Sequence, residues 1–245
     1  MFSTAGILTI VLSAVIVLGL FHIVDHPTRN RVLKVLVYFM ISMALLTTII
    51  YTVNKSERWW AYGLYAIAMI IAVALIVMRR VKLKQGKVLA CISLAVALGM
   101  GYMTGVMKLL LSIPTLQLLI PVVAITAAQL MLSMTDGLNA YCYSMRNTKP
   151  HRHYMLANGA TPFEANRPSI WRGLKAAMLN PLRSMTSPIV IAPPMLFCGM
   201  LLAGMDVVTA TMISVATAIN LLAASALSVG LVVFLISWRS IYINE

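Results

Sequence analysis

Long stretches of apolar residues, separated by short polar segments, dominate this chain. A helix of about 20 apolar residues crosses the roughly 30 Å hydrocarbon core of a bilayer, and long apolar runs are the most secure helix predictions. The pattern predicts seven such helices, at roughly Thr4–Ile23, Val32–Val53, Trp59–Met78, Val88–Leu111, Leu116–Tyr143, Ser187–Gly204 and Val207–Ser237. The last run is longer than one crossing needs, so we expect it to tilt or to extend into the cytoplasm.

The composition agrees with a membrane protein. Of the 245 residues, 61% are hydrophobic and 10% are charged, whereas a soluble domain carries about 25% charged residues. Little sequence lies outside the apolar runs, so we predict an all-α polytopic membrane protein with a single transmembrane domain over residues 1–245. The expected location is the inner (cytoplasmic) membrane, with several passes through it.

The distribution of basic residues predicts the orientation. Sixteen of the nineteen Lys and Arg residues fall on one side of the seven predicted spans, and only Lys55, Arg58 and Lys108 fall on the other. Because cytoplasmic loops are rich in Lys and Arg, we expect the N-terminus outside and the C-terminus in the cytoplasm. The same bias accounts for the net charge of +13, so we predict a lipid bilayer as a partner and no nucleic acid.

The longest polar segment, at about residues 146–182, lies between the fifth and sixth predicted spans. Asn158-Gly159 favours a turn with positive φ. Thr161 is suited to cap a helix that begins at Pro162, and Glu164 stands at the capping-box distance from Thr161. A cytoplasmic helix is therefore expected to begin here.

Two interpretations of this helix are possible. Pro168 is expected to break or restart it, and Ser169–Leu179 is amphipathic, so this piece is expected to lie at the membrane interface and to lead into the sixth span. Such a segment either only positions that span or docks into a partner protein.

A resemblance favours docking. The stretch "LANGATPFEANRPSIWRGLKAAMLNPL" resembles the coupling segment of the iron-export ABC transporter permease family (FetB-like). "MLFCGMLLAGMDVVTATMISVATAINLLAASALS" resembles a second region of that family, so the resemblance extends from about Met131 to the end. The matching positions are Gly159, Ala160, Thr161, Pro162, Ala165, Arg172, Ala176, Ala177, Pro181, Gly199, Ala203, Gly204, Asp206 and Ala210.

The chain also departs from the family pattern. Ala192-Pro193-Pro194 replaces a Leu-Pro-Gly, and Asp206-Val207 replaces an Asp-Pro. The first change removes a flexible residue beside the expected kink and inserts a rigid one.

The resemblance implies the permease subunit of an ABC transporter that exports metal ions (iron-like) or a related small solute. Two permease chains (a homodimer) would assemble with two ABC ATPase subunits. The implied ATPase-coupling residues are Asn158, Gly159, Ala160, Thr161, Pro162, Glu164, Ala165 and Arg172.

The source of energy is expected to lie on the partner. The sequence contains no Gly-x-x-x-x-Gly-Lys-Ser/Thr phosphate loop, so we predict no enzyme activity and no bound cofactor in this chain, with ATP and Mg on the ATPase. Gly101-x-x-x-Gly105 is interpreted as a helix-packing motif instead. The alternative function is a stand-alone secondary transporter or channel for a small cation or solute.

Polar residues inside the fifth predicted span suggest a transport pathway. Charged residues are rare inside membranes and usually face a cavity. The candidate pathway residues are Gln129, Ser133, Met134, Asp136 and Asn139, whose oxygen and thioether atoms suit cations. The alternative is that Asp136 lies near the cytoplasmic end, where it is hydrogen-bonded or paired with Arg146 or another basic residue.

The sixth predicted span contains candidate gating or kink residues, namely Pro188, Pro193, Pro194, Gly199 and Gly204, for which simple packing is the alternative. The methionines Met100, Met103 and Met107 are expected to pack in the core, and a path for a soft metal ion is the alternative. No set of metal ligands can be assigned from the sequence.

Overall fold

The computed structural model describes residues 59–82, 86–111, 116–186 and 195–238, together with scattered helical positions between Lys34 and Tyr51. The chain divides into two compact units, Met1–Glu57 and Arg58–Glu245. The first two predicted spans fall in the first unit and lie almost entirely outside the described residues. The account below concerns the second unit.

The described part of the second unit is helical and contains no strand. Four helices are long, namely α1 (Trp59–Val81), α2 (Gly86–Leu111), α3 (Leu116–Asn147) and α7 (Val207–Trp238). Between the last two lie α4 (Lys149–Ala157), α5 (Pro162–Thr186) and α6 (Met195–Leu202). The ends of the four long helices agree with the third, fourth, fifth and seventh predicted spans to within a few residues.

Four helices in the described part are long and apolar enough to cross a membrane. The candidate spans are Tyr62–Val81, Val88–Leu109, Ile120–Asn147 and Val207–Ser237. The chain is therefore a multi-pass, all-α membrane protein. Of the sixth predicted span, the structure describes only the short helix α6 and the corner that follows it.

Helices α3 and α7 form the centre of the unit. Helix α3 packs against α1, α2, α5 and α7, whereas α7 packs against α2, α3, α5 and α6. Ser133 of α3 meets Ser225 of α7, and Gly137, one turn later, meets Val229, so the two helices run parallel. Helix α2 runs antiparallel to α7, because Gly99 faces Ser228 while Tyr102 bonds to Asn220.

Large apolar side chains fill the core between these helices. Leu130, Met134, Leu138 and Tyr141 of α3 are buried, as are Val229, Val232 and Ile236 of α7 and Met100, Met103 and Met107 of α2. Hydroxyl groups inside the spans bond to the carbonyl one turn earlier, as Thr126 does to Val122 and Thr217 to Ile213. This local bonding allows polar side chains to lie at bilayer depth.

Helix α5 does not break at Pro168, so the prediction of a break there is wrong. The helix is continuous from Pro162 to Thr186. Pro168 lies on its exposed face near the N-terminus, where water can satisfy the carbonyl that loses its helical donor. On the opposite face, the small residues Ala165, Ser169, Gly173 and Ala177 recur every four positions and pack against the bundle.

The position of α5 also differs from the predicted interfacial one. Its residue Asn180 meets Asp136, whereas Ser169 meets Ser144, so α5 runs antiparallel to the C-terminal half of α3. That half belongs to the candidate span Ile120–Asn147. The helix packs along this span rather than lying across its end.

The predicted packing motif Gly101-x-x-x-Gly105 is not used among the described residues. A Cβ atom built on either glycine would meet nothing within 4 Å. Two residues away, a Cβ on Gly99 would clash with the hydroxyl oxygen of Ser228 and would lie 2.9 Å from Cδ1 of Leu130. The close approach of α2 to its neighbours therefore occurs at Gly99.

Candidate functional site

The corner between α4 and α5 is built by local sequence. Gly159 has a φ of +85°, a conformation that glycine adopts at little cost. The amide of Gly159 donates to the Leu156 carbonyl at 3.1 Å, and that of Ala160 donates to the Met155 carbonyl at 3.1 Å. These two bonds form a Schellman motif, which ends α4 sharply.

The start of α5 contains the predicted capping box. The amide of Glu164 donates to the Thr161 hydroxyl at 3.3 Å, while the amide and hydroxyl of Thr161 donate to the Glu164 carboxylate at 2.9 Å each. The backbone hydrogen bond from Thr161, followed by the bond from its hydroxyl, lowers the pKa of Glu164. The corner is therefore a well-defined turn with a negative charge at a helix N-terminus.

Most of the predicted coupling residues are accessible at this corner. Asn158, Gly159, Thr161, Glu164 and Arg172 are exposed, and Ala160 is half-buried. Ala165 differs, because it is buried on the face of α5 that packs against the bundle. Pro162 is the first residue of the helix.

Exposed aromatic residues surround the corner, and the sequence interpretation missed them. Tyr154 of α4 and Trp171 of α5 are 67% and 54% exposed. Phe163 is partly exposed and also packs edge-to-face on Phe234 of α7, with ring centroids 5.9 Å apart. The sequence did contain an indication of this exposed aromatic surface, because aromatic residues within a segment rich in Arg and Lys are typical of protein–protein interfaces.

Polar contacts attach α5 to its neighbours close to this corner. Ser169 donates to the hydroxyl of Ser144 at 3.0 Å, and the guanidinium of Arg172 reaches the same hydroxyl at 3.4 Å. The Asn166 amide donates to the Ser237 hydroxyl of α7 at 3.1 Å. The first turns of α5 are thus attached to the C-terminal ends of both α3 and α7.

A second corner, between α6 and α7, repeats the same geometry. Gly204 has a φ of +82°, its amide and that of Met205 donate to the Leu201 and Met200 carbonyls, and the Asp206 carboxylate accepts from the Val208 amide at 3.3 Å. The Gly159 corner lies near residues 234–237 of α7, so the corners are about 45 Å apart along this helix at 1.5 Å per residue. This separation exceeds the hydrocarbon thickness.

The candidate pathway residues of α3 do not share one environment. Gln129 donates to Ser133 at 3.4 Å, and Ser133 donates to Ser225 of α7 at 3.2 Å. Ser133 and Met134 are fully buried in the helix bundle. Asp136 and Asn139 are exposed on a different side of α3.

The partner of Asp136 is a residue that the sequence interpretation missed. The side-chain amide of Asn180 in α5 donates to the Asp136 carboxylate at 3.0 Å, so Asp136 is hydrogen-bonded, as the alternative interpretation allowed, and its donor comes from α5. The two residues are 44 positions apart in the sequence. The available indication of the pair was an acidic residue inside an apolar span together with a polar residue in the amphipathic segment that follows it.

The remaining candidate positions concern metal binding and the sixth predicted span. In the described part of the chain, no three His, Cys, Asp or Glu side chains are grouped so as to hold a metal ion. Pro188, Pro193 and Pro194 lie outside the described residues. Gly199 lies on the exposed side of α6, and Gly204 forms the second corner.

Comparison with known proteins identifies a family. Searches of curated proteins and of solved structures gave no match. A family model described as "Uncharacterised protein family (UPF0014)" matches residues 4–241, which is nearly the whole chain. The multi-pass helical protein described above therefore belongs to the UPF0014 family.

Proposed function

We propose that this chain is the membrane-spanning permease subunit of an ABC transporter that exports metal cations. A separate ATPase, bound at the corner between α4 and α5, would drive export. A second copy of the permease would complete the transporter. The resemblance of residues 156–182 and 195–228 to the iron-export permeases suggests iron-like ions as cargo and export as the direction.

The observation that carries this proposal is that the Gly159 corner is both exposed and held in one conformation by local hydrogen bonds. A coupling element must be accessible to a partner and stiff enough to transmit force. The corner has exposed residues at Asn158, Gly159 and Glu164, and its geometry is held by the Schellman motif and the capping box. It leads directly into a 25-residue helix that packs along a membrane span.

The charge distribution supports a cytoplasmic position for this corner. Arg146, Lys149 and Arg152 lie at the end of α3 and in α4, whereas residues 203–208 of the second corner contain no basic side chain. By the positive-inside rule, the first corner then faces the cytoplasm, where ATP is available. The 45 Å between the corners, estimated from helix rise, supports a position for the second corner on the other side of the membrane.

The test is association with an ATPase and ATP-driven export. The tagged full-length chain is purified in mild detergent, the co-purifying nucleotide-hydrolysing subunit is identified, and the complex is reconstituted into vesicles loaded with Fe²⁺ or Mn²⁺. We expect Gly159→Trp and Glu164→Lys to abolish co-purification of the ATPase. Glu164→Gln should retain it, because glutamine also completes a capping box.

Gly204→Trp is the matched control. It introduces the same side chain at the same positive φ, in a corner of the same geometry, so it carries similar backbone strain. If it removes the ATPase as effectively as Gly159→Trp does, strain rather than docking is responsible and the docking proposal fails. Full cation transport by the permease without ATP or any ATPase would favour a stand-alone transporter instead.

A further inference from the structure

The hydrogen bond between Asp136 and Asn180 lies on the surface of the bundle, at the depth of the hydrocarbon layer. Gly99 is at the middle of the candidate span Val88–Leu109 and contacts Leu130 of α3. Asp136 is six residues beyond Leu130, which is about 9 Å along the helix. The hydrocarbon layer extends roughly 15 Å from its middle, so Asp136 lies inside it.

A carboxylate at this depth requires a polar environment. Asp136 is exposed on the surface of the unit, and an ionised side chain facing lipid there would be costly. Asn139, one turn further along α3, is exposed as well, and Asn180 is half-buried beside them. This side of α3 and α5 must therefore face water, a transported ion or another protein chain rather than lipid.

Helix α5 connects this pair directly to the Gly159 corner. The backbones of α3 and α5 are in contact at Gly137 and Gly173, where a Cβ on Gly137 would lie 3.1 Å from the Gly173 carbonyl oxygen and a Cβ on Gly173 would lie 3.1 Å from that of Gly137. From this crossing, Pro162 is about 16 Å away in one direction and Asn180 about 10 Å away in the other, at 1.5 Å per residue.

These lengths give the helix the proportions of a lever. If α5 pivots as a rigid rod at the glycine crossing, a displacement of about 3 Å at Pro162 moves Asn180 by about 2 Å the opposite way, given the helical rise. A movement of this size directed away from Asp136 lengthens the 3.0 Å bond to about 5 Å, beyond hydrogen-bond distance.

We propose that Asp136 and Asn180 form a latch in the cation pathway, closed in the position of α5 seen here and opened when the Gly159 corner is displaced. In the closed latch, the amide N–H of Asn180 occupies the carboxylate. In the open latch, the carboxylate of Asp136 and the amide oxygens of Asn139 and Asn180 receive the cation. The inference rests on the proposed function, because it assigns the cargo site and the motion that serves it.

The chemistry of the three side chains suits a transported ion. Carboxylate and amide oxygens bind hard divalent cations, and a site with one carboxylate binds weakly enough to release its ion. While Asn180 donates its amide N–H to one carboxylate oxygen of Asp136 at 3.0 Å, it presents a donor rather than its own oxygen to a cation, so the three oxygen ligands do not converge on one ion. Opening the latch and exposing the ligands are therefore one event.

The first experiment measures Mn²⁺ binding to the purified permease without any ATPase, by electron paramagnetic resonance of free Mn²⁺, at Mn²⁺ concentrations high enough to shift the chain toward the open latch. We expect Asp136→Asn and Asn139→Leu to weaken binding by at least 10-fold, the range found when metal-site partners are removed. Leu179→Ala, next to Asn180 on the exposed side of α5, is the matched control and should bind as the unmodified chain does. Equal Mn²⁺ binding by Asp136→Asn and the unmodified chain would overturn the latch.

The second experiment locks the lever between the corner and the crossing. The hydroxyl oxygens of Ser144 and Ser169 are 3.0 Å apart, so Ser144→Cys with Ser169→Cys can form a disulfide once Cys91, Cys142 and Cys198 are replaced by serine. In vesicles containing the ATPase complex, oxidation should reduce ATP-driven Mn²⁺ export at least 10-fold while the ATPase stays bound, and reduction should restore export. Equal export in both redox states would overturn the lever.

The two experiments separate this proposal from the preceding one. If no ATPase associates with the chain, the proposed function fails, and the Mn²⁺ titration still decides whether the three side chains form a cation site. If the ATPase binds and drives export that neither the Asp136 substitution nor the disulfide affects, the proposed function holds and the latch is refuted.

Discussion

The contact between Gly137 and Gly173 allows a sharp test of the packing. A Cβ on Gly137 would lie 2.8 Å from Cγ1 of Val229, 3.1 Å from Cβ of Ala177 and 3.1 Å from the Gly173 carbonyl oxygen. Carbon atoms in favourable contact are about 3.5–4.0 Å apart, so Gly137→Ala must push α3, α5 and α7 apart by several tenths of an ångström.

The loss of stability caused by the clash at Gly137 can be estimated from a matched pair of substitutions. Replacing a helical glycine by alanine stabilises the helix by up to about 1 kcal/mol, and this gain applies equally to Gly137→Ala and to Gly101→Ala. At Gly101 the new methyl group meets nothing within 4 Å, whereas overpacking at Gly137 costs about 1–3 kcal/mol. The difference between the two variants therefore isolates the cost of the clash.

The assay is thermal unfolding in detergent, followed by the fluorescence of the four tryptophans at one fixed scan rate. For a chain of this size, about 1 kcal/mol corresponds to about 2–4 °C, so Gly137→Ala should melt about 2–12 °C below Gly101→Ala. Equal melting temperatures, or a higher one for Gly137→Ala, would show that α3 and α5 are not in backbone contact and would remove the pivot of the lever.

Two further predictions concern the ends of α5. Because the folded-state pKa of Glu164 is lowered from its ordinary value of 4.5, its contribution to the helix start is present above that value and is lost as pH falls through the folded pKa. The protection factors of the Thr161 amide and of the amides at residues 163–165, which remove the intrinsic pH dependence of amide exchange, should therefore fall over that range in the unmodified chain but not in Glu164→Gln. Ser237→Ala removes the hydrogen-bond partner of the Asn166 side-chain N–H, and the oxygen of the same side chain is already buried without a partner. The free energy of unfolding should therefore fall by about 1–3 kcal/mol, and adding Asn166→Leu should recover most of that loss. Additive effects in the resulting double-mutant cycle, measured by thermal unfolding, would contradict the contact.

Local features of the sequence predicted local features of the structure. The ends of α1, α2, α3 and α7 follow from where apolar runs meet basic or capping residues, because a helix in a bilayer depends on an uninterrupted apolar stretch. The Gly159 turn and the capping box of Thr161 and Glu164 were predicted from four neighbouring residues. Such motifs need no distant partner, so a single sequence is enough to recognise them.

The sequence predictions that the structure corrects failed because of contacts between helices that are distant in the sequence. Pro168 is tolerated because the opposite face of α5 packs closely on α3 and α7 and because the proline itself is exposed near the helix start. The candidate pathway residues Ser133 and Asp136 have different surroundings because α7 packs over Ser133 while Asp136 lies beside α5. Helical spacing gives the angle between side chains but not which neighbour covers each of them.

The sequence alone determined that this is a multi-pass helical membrane protein, since hydrophobic length and composition are properties of each segment by itself. Only the tertiary structure decided that α5 lies in the groove between α3 and α7, that Gly99, Gly137 and Gly173 are the points of closest approach, and that Asn180 meets Asp136. Those features depend on which small residues face one another across helices many positions apart, and no local pattern specifies that choice.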